Sequence, residues 1–73
     1  MAARDLEIEI LRKGRTTRQR ISVRAEPDDV AALQMSLRGW LEAAGWDPKL
    51  WPQFTAEVRI LGEWRVLHRI GAV

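Results

Sequence analysis

A chain of 73 residues is expected to form one domain, residues 1–73, with a thin core, because a domain of this size buries only about 60% of the surface its unfolded form exposes. It holds no Cys, which excludes a disulfide framework and a thiolate metal site and fits a reducing, cytoplasmic setting; no stretch approaches the ~20 apolar residues of a membrane span. The net charge is only +2, and the pI of 9.9 follows from ten Arg, two Lys and no Tyr or Cys, which leave little to titrate between neutrality and about pH 10.

In chain order, the opening "MAARDLEIEI" sets Arg4, Asp5, Glu7 and Glu9 where a leader peptide would need an apolar run, so none is expected. From there Leu6, Ile8 and Ile10 alternate with Glu7 and Glu9, and Ile21, Val23 and Ala25 alternate with Arg20, Ser22 and Arg24. Both runs have the two-residue period of half-buried strands. A two-residue loop at Gly14 and Arg15 pairs Ile8 with Ile21 and Leu6 with Val23, keeping the apolar side chains on one face, and Gly14 in the first loop position suits a type II′ turn. The same register sets Glu9 opposite Arg20 and Leu11 opposite Arg18, and leaves Arg20 and Arg24 to pair with Glu7 and Glu9.

The run "AEPDDVAALQMSLRGWLEAAGW" predicts a helix over Pro27–Ala44, with Pro27 at the first helical position, Asp28 and Asp29 near the positive end of the dipole, and Gly45 as a left-handed stop. Val30, Leu33, Leu37, Trp40, Leu41 and Ala44 form its apolar stripe; Asp28, Gln34, Arg38 and Glu42 form the polar side. Trp46 after Gly45 is placed to contact Leu41 and complete a Schellman stop. "GWDPKLWPQ" reads as loop, followed by two more alternating runs: Phe54, Ala56, Val58 and Ile60, then Trp64, Val66, His68 and Ile70. These share a face only across an odd loop, such as three residues including Gly62. The expected fold is α+β: a two-layer ββαββ domain with one helix packed across a four-stranded sheet, either with strands 1 and 4 as central parallel neighbours in a β-grasp-like order or with the hairpins ordered differently.

The parts of an enzyme are missing from this pattern. The single His, His68, has no Cys and no second His to complete a metal set; Ser22 and Ser36 have no adjacent base; the five Gly are scattered one per turn or element end. No catalytic residue, metal or cofactor is expected, and Asp28 and Asp29 read as helix-capping acids. What stands out is charge. In "LRKGRTTRQRISVR" six of the twelve Lys and Arg fall with no acid between, and residues 1–26 carry seven basic and four acidic side chains against five and six in residues 27–73. After Arg20 and Arg24 are assigned to internal pairs, Arg12, Lys13, Arg15 and Arg18 remain around the hairpin tip. They predict a non-enzymatic module that contacts the phosphate backbone of nucleic acid. The alternative is a protein-interaction or homodimerising module using Trp51, in the loop, and Trp64, at the second hairpin turn, together with exposed sheet edges. Neither reading involves a membrane.

Overall fold

In the computed structural model, which describes residues 2–73, β1 (Arg4–Arg12) and β2 (Arg18–Ala25) pair antiparallel with Ile8 opposite Ile21 and Leu6 opposite Val23, the register that the alternation demands. The turn differs from the expected two-residue loop. Arg15 N–H donates to the Arg12 carbonyl at 3.0 Å, and Gly14, at φ +78°, occupies the third position of this four-residue turn, the left-handed place of a type II turn. A second bond, from Lys13 N–H to the Gln53 carbonyl at 2.7 Å, ties the tip to the chain just ahead of Phe54, the residue paired with Arg12, and holds this geometry.

The helix α1 spans Val30–Ala43, beginning three residues later than Pro27. The reason is capping: the Asp29 carboxylate accepts from Ala32 N–H at 3.1 Å, so Asp29 is the N-cap, and Pro27 and Asp28 lie in the turn before it. At the other end Gly45 sits at φ +83°, its N–H donates to the Glu42 carbonyl, and Trp46 N–H reaches the Leu41 carbonyl at 3.0 Å. Those two bonds make the expected Schellman stop. The predicted loop then contains a 3₁₀ helix, Pro48–Gln53, capped by the Asp47 carboxylate on Lys49 N–H at 2.9 Å. The chain closes with β3 (Phe54–Ile60) and β4 (His68–Gly71).

The sheet order is β2-β1-β3-β4, every neighbouring pair antiparallel, so the domain is an α+β fold with one helix on a four-stranded sheet. The expected parallel contact between the first and last strands is therefore corrected. It is β2 and β3 that run parallel, with β1 between them, and α1 is the crossover that joins them. This order has a physical logic. The two strands richest in large apolar residues, β1 and β3, lie side by side at the centre, with Ile8 opposite Val58 and Ile10 opposite Ala56, under the buried Leu33, Leu37 and Leu41 of α1. The less apolar β4 is left at the edge. Of the predicted helix stripe, Trp40 is half-buried, while Val30 and Ala44, at the two ends, are exposed.

The second hairpin keeps the parity expected of it, with Ala56 opposite Ile70 and Val58 opposite His68, but its connection is longer than three residues. A turn closed by Glu63 N–H on the Ile60 carbonyl at 2.9 Å leads into an irregular segment that carries Trp64 to the surface instead of into a strand. Because Leu37 has no exposed surface at the centre of the core, Leu37→Ala is expected to cost about 2–5 kcal/mol in urea unfolding. Met35→Ala, on the exposed flank of the same helix, is the control; equal losses for the two would contradict this account of the core.

Candidate nucleic-acid interface

The four cations assigned to the hairpin tip are not equivalent in space. Arg18 lies on the open face of the sheet, where its Nη1 donates to Glu9 Oε1 at 2.8 Å. Arg12 lies on the opposite, helix-side face; its Nε donates to Gln53 Oε1 at 3.1 Å and its guanidinium stacks 4.7 Å above the Trp46 ring. Lys13 and Arg15 remain exposed at the turn and make no ion pair among the described residues. The expected cluster of four is thus two free cations flanked by two engaged ones.

Arg12 also borders a groove that local sequence signals do not reveal. A strand of nine residues is about 30 Å long and a helix of fourteen about 21 Å, so α1 runs out before the hairpin does. The Schellman stop folds Trp46 back over the gap, where it meets Phe54 at a ring-centroid distance of 5.1 Å and an interplanar angle of 59°. Phe54 is directly opposite Arg12 across the β1–β3 ladder. The result is a groove of about 300 Å³ with Trp40, Trp46 and Phe54 as its aromatic walls. Arg12, Arg15, Thr17 and Gln19 supply the polar rim, and no carboxylate lines it. That volume is at the small end of ligand sites, enough for a flat ring.

The open face of the sheet is built on charge. One row across it reads Arg20, Glu9, Glu57, Arg69, with the two acids directly opposite each other on the central strands. Like charges so placed repel, and guanidiniums relieve it: Glu9 accepts from Arg18 at 2.8 Å, Arg20 at 2.9 Å and Arg59 at 3.3 Å, and Glu57 accepts from Arg59 at 2.8 Å and Arg69 at 3.3 Å. Glu9 is buried, and the hydrogen bond from Arg18, more than offsetting its desolvation, holds its carboxyl below the usual range. Arg59 does the same for Glu57. Arg24 pairs with Asp5, at 3.1 Å, instead of with Glu7.

Of the candidate partner residues, Trp51 packs against the edge of the core and donates its Nε1–H to the Trp46 carbonyl at 3.2 Å. Trp64 is 89% exposed and overhangs the charged open face, beside Glu7 and Arg20. The two therefore do not share a surface, and the aromatic side chains beside the basic tip are those of the groove, Trp40, Trp46 and Phe54. His68 is half-buried, with Nε2 donating to the Pro27 carbonyl at 2.7 Å. Among the described residues no three His, Cys, Asp or Glu side chains gather as a metal set, and no helix is long and apolar enough to cross a membrane.

A carboxylate whose folded pKa is depressed contributes stability above its unfolded pKa and loses it as pH falls through the folded value. Thermal midpoints are expected to hold from neutrality down to about pH 5 and to fall once pH drops below the ordinary Glu value of 4.5. Glu9→Gln should make that acid-side fall shallower, and an unchanged slope would remove Glu9 as its source. In comparisons with known proteins, no family model, no curated protein and no solved structure matched the chain significantly.

Proposed function

We propose that this domain is a non-enzymatic module that binds single-stranded nucleic acid at the hairpin tip, taking a base into the aromatic groove and its phosphates onto Lys13 and Arg15. The observation that carries this reading is the juxtaposition of an acid-free groove walled by Trp40, Trp46 and Phe54 with the two unpaired cations of the turn. Bases of any sequence stack on such rings, and a cationic rim follows the backbone. Gln19 and Thr17, on the same rim, offer hydrogen bonds to a base edge. A paired duplex keeps its bases stacked inside and gains nothing from the groove.

Fluorescence anisotropy with labelled single strands and duplexes tests this. Single strands are expected to bind more tightly, with quenching of tryptophan emission. Two phosphate contacts give a salt slope near −1.4 by the ~0.7-per-phosphate rule for single strands. A Lys13→Ala, Arg15→Ala double variant, altered only at exposed turn residues, should lose most of the binding without a change in thermal midpoint. Absence of binding at about 50 mM salt, preference for duplex, or indifference to the double variant sinks the proposal.

A second reading, self-association through the open face, draws on Trp64, whose exposure is unusual for so large an apolar ring. It expects a concentration-dependent dimer in sedimentation equilibrium that Trp64→Ala dissociates. A monomer at every concentration removes it.

A further inference from the structure

The two edges of the sheet are not alike. At β4, four residues long, the helix reaches over the edge: Gln34 Nε2 donates to the Gly71 carbonyl at 3.0 Å and Arg38 Nε to the Ala72 carbonyl at 2.6 Å. Both bonds fall at the C-terminal end of β4, Gly71 being its last residue and Ala72 the one after it, so the helix covers that end of this short edge. At β2, eight residues long, no other element among the described residues lies beyond the strand. Its outward backbone groups are free to pair.

The side chains of β2 state what would pair there. On the helix side Ile21, Val23 and Ala25 are only partly buried, so an added strand bearing apolar residues at alternate positions would extend the core over them. On the open face Arg18, Arg20 and Arg24 each give one nitrogen to an acid of β1, yet their side chains stay 49%, 67% and 66% exposed. A guanidinium has five N–H donors in a fixed fork, so each keeps donors for a second carboxylate on the outer side. A second copy of this chain does not meet the requirement. In the two face-matched antiparallel registers of greatest overlap, centred on Ile21 or on Ser22, Arg24 would stand opposite Arg18 or Arg20, and like charges so placed destabilise a ladder.

We infer that the outer edge of β2 is a docking site for an extended segment of another protein in which acidic and apolar residues alternate, added to the sheet as a fifth strand. The sequence already contains one strand of this chemistry. β1, "DLEIEIL" over residues 5–11, faces the inner edge of β2 with Asp5 opposite Arg24 and Glu9 opposite Arg20. The proposed partner repeats on the outer side the complementarity that β1 supplies on the inner side. This surface meets the aromatic groove at Gln19, and its partner is of a different class.

The capped peptide DLEIEIL is therefore the probe, with KLKIKIL as the charge-reversed control. Titration into the isotopically labelled protein should move backbone amides of residues 18–25 and leave residues 68–71 unmoved. The apparent affinity should weaken as salt rises. Arg24→Glu, at an exposed surface pair that adds little to stability, should weaken binding about threefold to tenfold with the fold intact. Four results would overturn the inference: no shifts with peptide at about 1 mM, the weak end of specific recognition; equal binding of KLKIKIL; shifts centred on β4; or shifts spread through β1 and β3, which would mean that the peptide replaces β1 instead of docking outside β2.

Discussion

Everything in this domain hangs on the double pairing of β1. It is the one strand hydrogen-bonded along almost its whole length on both sides, to β2 through Arg4–Leu11 and to β3 through Leu6–Arg12. Once both registers are set, the two-residue period of the strand does the rest. Leu6, Ile8 and Ile10 go to the helix side, where Leu33, Leu37 and Leu41 cover them. Glu7 and Glu9 go to the other side, into the midst of arginines. A slip of one residue would send the glutamates under the helix and the isoleucines into water, so hydrophobic burial and ion pairing select the same register.

The charge of the hairpin is consequently divided by function of place. Those arginines whose parity puts them on the open face serve the carboxylates; Arg12, of opposite parity, serves an aromatic ring; Lys13 and Arg15, on the turn, which has no parity to obey, have no ion-pair partner among the described residues. Glu9, buried at the centre of a four-stranded sheet, would be costly unless several hydrogen bonds met it, and three guanidiniums do. The proposed sites use what this arrangement leaves over: two free cations beside an aromatic groove, and the spare donors along one edge.

How much of this is legible in the residues varies with range. The first hairpin's register, the core parity of both hairpins, the Schellman stop at Gly45 and the two-layer class all follow from local spacing, because each depends on residues a few positions apart. The strand order does not. Placing β3 against β1 depends on which apolar strands share the centre, a comparison across the entire chain, and the preference for right-handed crossovers applies equally to β2–α1–β3. Spacing alone leaves Arg12 and Arg18 at the tip and does not show their contacts, for the same reason: Trp46 and Phe54 reach Arg12 through the β1–β3 ladder, and Arg18 reaches Glu9 along a diagonal that directly opposed pairs do not include. The groove itself comes from a mismatch of lengths between helix and hairpin, and no short motif encodes a difference of lengths.

The central ladder also sets the order in which the domain can be assembled. β1 meets β2 across a turn of a few residues, a closure that costs little entropy, whereas Leu6 meets Ile60 only after the helix and the 3₁₀ segment have brought the chain back. The first hairpin and α1 are local structures that can flicker into being independently; the sheet's middle pair is the long-range event that makes them permanent. Until it forms, β1 presents an open, alternating edge to its surroundings, so the strand that finally organises the fold is also the one most exposed to wrong partners during synthesis.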